Sequence, residues 1–240
     1  MGVGFGQFCP VAIACEVFAR RWTPLILREL FSGAEHFNEI QRGLPLLSRS
    51  LLARRLKELE AAGVVVVETK ESGRGRRYRL TDAGKEFGPV IDGLGNWGQR
   101  WTLRVNPENL DPSWLMWNMR RRIARDRLPA SRVVVRLKFT GVPTTYRGPR
   151  LFWLILEREA VDLCIDDPGI EIDLNVGADL TAMAKVWLGD SAFESALRAG
   201  QVQLTGPPHL ADAFPSWLLL SRFARVSRPL IADSGSTRQR

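Results

Sequence analysis

Apolar residues recur at helical spacing through the first third of the chain. The pattern predicts helices over residues 11–20 and 23–31, a short third helix that begins at Phe37, and a fourth helix over 48–62. The apolar face of the first helix, which we expect to be buried, consists of Val11, Ala14, Val17 and Phe18. This part of the chain is therefore predicted to be mainly helical.

The helix over 48–62 has one apolar and one basic face. Ser48 is a favourable N-cap, and Gly63 is a favourable residue for ending the helix. The apolar stripe is formed by Leu52, Leu56 and Leu59, and the opposite side carries Arg49, Ser50, Ala53, Arg54 and Lys57. A short helix, a tight turn and a second helix with an exposed basic face form the pattern of a helix-turn-helix.

A basic hairpin is predicted directly after this helix. Residues 64–69 and 77–80 are typical of strands, and residues 71–77 form a tip, or wing, rich in glycine and arginine. A solvated basic face is the plainer interpretation of the helix, but the adjoining turn and wing favour double-stranded DNA as a partner. The candidate contacts are Ser48, Arg49, Ser50, Arg54 and Lys57 on the helix and Arg74, Arg76 and Arg77 on the wing.

A longer helix is predicted over residues 81–101, with an unusually wide aromatic and aliphatic stripe. The stripe is formed by Phe87, Val90, Ile91, Leu94, Trp97 and Trp101. A small winged domain does not need so much apolar surface for its own core, and exposed apolar patches of this kind mark interfaces. We therefore expect a homodimer that pairs through this helix and the N-terminal helix.

The second half of the chain changes to the period of strands. After a helical connector over 105–130, whose helix we predict over 114–127, strands are predicted over 133–139, 150–156, 161–165 and 170–176. Short turns between them favour an antiparallel meander. Helices over 179–187 and 191–199, a strand over 202–205 and a helix over 209–222 complete this half.

The predicted fold class is α+β. Its parts are a winged helix-turn-helix domain over 1–104, the connector, a helix-covered antiparallel sheet over 131–233, and a disordered tail over 234–240. No stretch of residues is apolar over the length that a membrane span requires, so we expect no membrane association.

Charge is concentrated where the DNA contacts are predicted. The chain has a net charge of +8, of which residues 1–104 contribute +5, the connector +2 and residues 131–240 only +1. Three cysteines and two histidines are too few for a disulfide framework or a zinc site, and they fit a reducing cytoplasm. The acidic residues of the second half alternate with apolar ones, as on the solvated side of strands. We therefore expect no metal, no cofactor and no enzymatic activity.

Several short motifs together resemble the HxlR-type winged helix-turn-helix regulators between Phe8 and Trp101. They are Phe8-Cys9-Pro10, Arg21-Trp22-Thr23, Leu25-Ile26-Leu27-Arg28-Glu29-Leu30, Phe37-Asn38-Glu39-Ile40, Leu59-Glu60-Ala61-Ala62-Gly63, Tyr78-Arg79-Leu80-Thr81 and Trp97-Gly98. The resemblance implies a dimeric bacterial transcription factor. Its recognition helix, here residues 48–59, would enter the major groove, while the wing lies along the DNA backbone.

The second half resembles the sterol-carrier-protein type 2 domains. The motifs run from Ile172-Asp173-Leu174-Asn175-Val176 through Val186-Trp187-Leu188-Gly189-Asp190 to residues 196–206. The resemblance implies a sheet covered by helices over an apolar tunnel for lipid-like molecules, without catalytic residues. Candidate ligand contacts are Phe139, Phe152, Trp153, Trp187, Phe193 and Trp217, although residues of this kind are more often plain core.

The favoured hypothesis is a repressor whose DNA affinity responds to an apolar ligand in the second half. Cys9 supports one alternative, because it stands at a helix start where free amides favour the thiolate, and some HxlR-type proteins sense oxidants or electrophiles with an N-terminal cysteine. A half-buried structural cysteine is the plainer interpretation. A third possibility, from another class, is a lipid carrier whose basic N-terminal half is an interaction module.

Overall fold

Two separate hydrophobic cores organise the chain. The computed structural model describes residues 4–69, 75–102 and 104–228. One core lies between Ile26 and Ile91, and the other between Leu115 and Trp217. The elements of the first half are α1 (Pro10–Phe18), α2 (Thr23–Phe31), α3 (Phe37–Gly43), α4 (Arg49–Ala61), β1 (Val65–Thr69), β2 (Arg76–Leu80), α5 (Asp82–Lys85) and α6 (Gly88–Trp97).

Helix α4 and the hairpin confirm the predictions made for them. Ser48 caps α4, its Oγ accepting a hydrogen bond of 3.3 Å from the amide of Leu51. Gly63 ends this segment with a φ of +70°, a conformation that glycine adopts without steric cost. Strands β1 and β2 pair antiparallel from Val65 opposite Leu80 to Thr69 opposite Arg76. Residues 70–74, which include Arg74 and much of the predicted wing, lie outside the described part.

Two helix predictions in the first half need correction. Residues 81–101 are not one helix, because α5 ends at Lys85, α6 begins anew at Gly88, and a π-helical turn follows over Gly98–Thr102. Pro89 explains the break, since it lacks an N–H donor and is tolerated only in a first helical turn. In α1 no residue is buried: Val17 and Phe18 pack partly against the core, while Val11 is exposed.

A five-stranded sheet forms the centre of the second half. Its strand order is β5-β4-β3-β6-β7. The elements are α7 (Pro112–Arg120), β3 (Val133–Thr140), β4 (Leu151–Leu156), β5 (Val161–Cys164), β6 (Leu174–Asp179), α8 (Leu180–Leu188), α9 (Phe193–Arg198), β7 (Val202–Thr205) and α10 (Pro208–Trp217). Helices α7, α8, α9 and α10 bury their apolar side chains in the same core as Val135 and Leu137 of β3.

The prediction of a wholly antiparallel sheet was wrong. The first three strands form the predicted meander, but β6 returns beside β3 and pairs with it in parallel, from Val135 opposite Leu174 to Thr140 opposite Asp179. The residues before β6 are not strand: Gly169 has a φ of +68°, and the carboxylate of Asp173 accepts the amide of Val134 at 2.8 Å. This return across the sheet depends on pairing between distant residues, which no local pattern encodes.

The helix predicted within the connector is shorter than expected. It ends at Arg120, because the following residues pair instead with the distant end of α10. The amide of Ala124 donates to the carbonyl of Trp217 at 2.8 Å, and Ile123 forms a bridge with Leu218. Leu115, Met116 and Met119 of α7 lie in the second core. Helix α10 likewise ends at Trp217, short of the predicted residue 222.

No helix in the described ranges is long and apolar enough to cross a membrane.

Candidate nucleic-acid interface

The outer face of α4 presents two exposed basic side chains. Arg54 and Lys57 are exposed, and neither makes an ion pair or hydrogen bond with any other described residue. The opposite face is fixed by Leu52, Leu56 and Leu59, all almost completely buried in the first core. Because packing fixes the rotation of the helix, these cations project to solvent with their charges uncompensated.

The first turn of α4 is tied to α3. Ser48 and Ser50 place their hydroxyl oxygens 3.3 Å apart and are both exposed. The guanidinium of Arg49 donates from Nη2 to Oδ1 of Asn38 at 3.2 Å and lies over the ring of Phe37, 4.9 Å from its centroid. Arg49 is therefore oriented by α3 rather than free, and its position depends on the packing of the two helices.

The turn between α3 and α4 is held by the side chain of Gln41. The amide nitrogen of Gln41 donates to the carbonyl of Leu47 at 2.6 Å and to that of Leu44 at 3.2 Å. This cross-link satisfies backbone acceptors in a segment without regular structure. A polar residue on a short amphipathic helix gives no sequence signal of such a role.

The two wing arginines that the structure describes differ in how free their side chains are to contact DNA. Arg76 is exposed, and its carbonyl oxygen lies 3.3 Å from Nδ1 of His36. Arg77 is instead paired with Glu35, with Nε donating to Oε2 at 2.7 Å. Arg74 lies outside the described residues. Of the three predicted wing arginines, Arg76 is therefore the one whose side chain lies in solvent with no acidic partner among the described residues.

Glu39 fixes the start of α3. Its Oε2 accepts the amides of Glu35 and His36, both at 3.0 Å. Burial raises the pKa of this carboxyl, but the two amide donors and the nearby charges of His36 and Arg120 outweigh burial, so that its pKa is lowered. The carboxylate is therefore favoured in its ionised form, which holds α3 in place beneath α4.

An ion-pair cluster that no pattern in the sequence indicates joins the helix-turn-helix to the second half. Glu29 of α2 is completely buried. Its carboxylate accepts from Arg28 at 2.7 Å and lies 2.8 Å from Nη1 of Arg121, just after α7. Trp117 lies beside this pair. Over its ring lie the guanidinium groups of Arg42, Arg120 and Arg121.

The candidate ligand residues are all buried in the second half, but they do not line one common cavity. Phe139, Phe152 and Trp217 pack within the core, where Phe139 and Phe152 meet edge to face at 6.0 Å. Trp153 is buried outside that cluster. Trp187 lines a cavity that reaches the first half, and Phe193 lines a second cavity between α9, β7 and α10.

Cys9 is exposed immediately before α1. Hydrogen bonds from the backbone amides of Ala12 and Val11 lower the pKa of its thiol. Cys15 and Cys164 are partly buried and free. Across the described ranges, no cluster of His, Cys, Asp and Glu side chains is arranged to hold a metal ion.

Comparison with known proteins identifies relatives of the first half. The sequence model of the HxlR-like helix-turn-helix family matches residues 17–106. The HTH-type transcriptional regulator YvaP of Bacillus subtilis (strain 168) is 36% identical over 111 residues, which are 45% of this chain and 95% of YvaP. The HTH-type regulator YdeP of the same organism is 30% identical over 99 residues, which are 41% of this chain and 77% of YdeP.

Solved structures of similar sequence were also found. The reduced form of the transcriptional regulator YodB from B. subtilis is 29% identical. The match covers 42% of this chain and 100% of the YodB chain, with a TM-score of 0.36. The redox regulator HypR in its reduced form is 28% identical. The match covers 38% of this chain and 90% of the HypR chain, with a TM-score of 0.36.

Proposed function

The chain belongs to the HxlR-like helix-turn-helix family of transcriptional regulators, and from this premise we propose that it recognises a specific duplex DNA sequence with α4 in the major groove. The observation that carries this proposal is the pair of exposed cations Arg54 and Lys57 on the outer face of α4, which have no ion-pair or hydrogen-bond partner among the described residues. Basic side chains on such a face contact base edges or phosphates. Residues 1–104 carry +5 of the net charge of +8, which favours the same partner.

Each predicted contact has a distinct part in this proposal. Arg49, oriented by Asn38 and Phe37, is suited to a directional contact with a base. Ser48 and Ser50 add short hydrogen bonds at the helix start, and Arg54 and Lys57 reach bases or phosphates further along the groove. Arg76, with Arg74 and Arg77, would contribute phosphate contacts from the wing.

We further propose a homodimer. Apolar side chains on α1, α6 and the turn after α6 are exposed, including Val11, Leu94, Trp97 and Trp101. Such a patch is costly in water and is suited to burial against its symmetric copy. Two recognition helices about 34 Å apart would then reach successive major grooves. By covering promoter DNA, the dimer would act as a repressor.

The second half is proposed to be a sterol-carrier-like domain that binds an apolar ligand. Supporting this are the sheet covered by α7 to α10 and a cavity of about 1040 Å³ lined by Phe193, Leu197 and Leu204. A ligand there changes DNA affinity only if it favours one placement of the recognition helices over another.

Cys9 supports a second candidate input. A lowered pKa increases the thiolate fraction of this exposed thiol at any given pH, and the thiolate is the form that reacts with oxidants and electrophiles. If Cys9 is the regulatory input, the second half only supports dimerisation. A Cys9→Ser variant that still loses DNA affinity on oxidation would eliminate it.

Selection of bound sequences from random duplex DNA tests the DNA proposal. We expect enrichment of a two-fold symmetric motif whose half-sites are about one helical turn apart. Repeating the selection with delipidated protein tests the ligand input. Binding that shows neither sequence enrichment nor salt dependence would instead favour a lipid carrier with a basic interaction module.

A further inference from the structure

The cavity that Trp187 lines has a volume of about 680 Å³ and lies between the helix-turn-helix and the second half. We propose that it binds an uncharged aromatic small molecule and that its occupancy is communicated to α4. The residues that carry this inference are Trp22, Leu25 and Leu46 from the first half and Trp114, Tyr146 and Trp187 from the second. The site differs from the cavity around Phe193, and its regulatory role rests on the proposed function.

The size and lining of this cavity suit a flat apolar ligand. Small-molecule sites are typically concave, a few hundred to about 1,000 Å³ in volume, mainly apolar, and frequent at domain boundaries. Aromatic side chains face the cavity from both halves of the chain. Leu25 and Leu46 keep 38% and 87% of their surface exposed, so both have apolar area left for an occupant to cover.

Charge around the cavity argues against an ionic ligand. The charged lining residues in the described part of the chain are Arg28, Arg104, Glu108 and Asp111, whose charges sum to zero. Arg28 is already engaged, since its Nε and Nη2 donate to Oε1 of Glu29. Asp111 caps α7 by accepting the amide of Trp114 at 3.1 Å. The lining therefore offers no excess charge of either sign for a ligand to neutralise.

A strained residue also lies in the wall. Trp22 has a φ of +80°, and it is the one non-glycine residue with a positive φ in the described chain. Such a backbone conformation is strained for a residue with a side chain, and residues of this kind cluster at ligand-binding sites. The guanidinium of Arg21 lies 5.4 Å from the centroid of the Trp22 ring. The strained backbone of Trp22 therefore lies in the apolar wall of the cavity, away from the outer face of α4.

The cavity is connected directly to the recognition helix. Residues 43–46 form part of its wall and lead into Ser48, which caps α4. Gln41 donates to the carbonyl of Leu44 within this segment and to that of Leu47 directly after it. An occupant touches this segment and the second half at once, so it favours one placement of α4. By linkage, DNA must then change the affinity for the occupant by the same factor.

The test uses N-phenyl-1-naphthylamine, a neutral fluorescent probe, with the full-length protein. We expect saturable binding, seen as probe emission sensitised by tryptophan excitation. Leu25→Glu and Leu46→Glu place a charge on the apolar rim at exposed positions, and each should weaken binding at least fivefold. Ile165→Glu, at another exposed apolar position, is the matched control and should leave binding unchanged. The sulfonated analogue 1-anilinonaphthalene-8-sulfonate should bind more weakly than the neutral probe.

Operator DNA at saturation should shift the apparent Kd of the probe at least threefold. The site assignment fails if the rim variants bind the probe as the wild type does, or if Ile165→Glu weakens binding equally. Preference for the sulfonate overturns the uncharged class, and no shift with DNA overturns the coupling. DNA binding measured on the same variants separates these outcomes from failure of the proposed function, because intact DNA binding without probe binding rejects only the cavity.

Discussion

The carboxylate of Glu29 and the guanidinium of Arg121 form a buried ion pair, with Oε2 and Nη1 2.8 Å apart, between the helix-turn-helix and the second half. Glu29 is fully buried, and the Arg121 side chain is 12% exposed. Arg28 adds a second cation at 2.7 Å. Each charge is tolerated in this setting because its partner is present, so the boundary between the halves depends on the pair being intact.

Glu29→Gln should lower the free energy of unfolding by roughly 3 kcal/mol, because it keeps the side-chain shape but leaves Arg121 buried and without its counter-charge. Urea unfolding measured by tryptophan fluorescence checks this value. The control is Asp92→Asn, which breaks a pair with Arg222 at the same boundary whose side chains are 43% and 41% exposed. It should cost at most about 1 kcal/mol. Equal losses of unfolding free energy in the two variants would show that the buried Glu29 pair stabilises the protein no more than the exposed pair does.

Gly43→Ala should destabilise the protein by about 1–3 kcal/mol. A Cβ at Gly43, the last residue of α3, would overlap the Glu29 carboxylate, which is fixed by its two arginines. Thermal or urea unfolding measures the effect. Gly177→Ala in β6 is the matched control, since a Cβ there meets nothing within 4 Å and should be neutral or slightly stabilising. Wild-type stability of Gly43→Ala would contradict this packing.

Leu94→Glu should convert the proposed dimer to a monomer, because it places a charge in the exposed apolar face of α6. Sedimentation velocity should give twice the 27.0 kDa chain mass for the wild type and the single mass for the variant. Ile165→Glu, equally apolar and exposed in the second half, should remain dimeric. A monomeric wild-type protein would remove the dimer from the account.

Cys9 should be alkylated by iodoacetamide before Cys15 and Cys164, because it is exposed and the other two are partly buried. Amide hydrogen bonds from Ala12 and Val11 stabilise its thiolate and lower its pKa. The rate should therefore rise with pH through a midpoint below that of an ordinary thiol. Peptide mass spectrometry of partly labelled protein identifies the site. Faster labelling at either other cysteine, or an ordinary midpoint, would oppose the prediction.

Local signals account for the parts of the fold that were predicted correctly. The cap at Ser48, the leucine spacing of α4 and the stop at Gly63 are each encoded within a few residues, so the bounds and the buried face of that helix follow from the local sequence. The parallel pairing of β3 with β6 and the early end of α7 depend on partners far along the chain. Periodicity carries no information about such partners, so those predictions failed.

The candidate site divides in the same way. Arg54 and Lys57 could be placed on the outer face of α4 because helical spacing fixes which residues share a face. The engagement of Arg77 by Glu35, and of Arg49 by Asn38, could not be predicted, since each pair joins separate elements. Glu29 was equally hidden, because a single acidic residue in an apolar helix does not show which cations will surround it.

The assignment of α4 as the recognition helix is tested most directly by DNA affinity across a salt series. Arg54→Ala/Lys57→Ala should weaken operator binding at least tenfold and reduce the slope of log K against log salt by about one for each lost phosphate contact. Arg132→Ala/Lys138→Ala removes one arginine and one lysine, also exposed, from the second half. It should leave the affinity and the slope unchanged. Equal effects of the two double variants, or none from the α4 pair, would contradict the assignment.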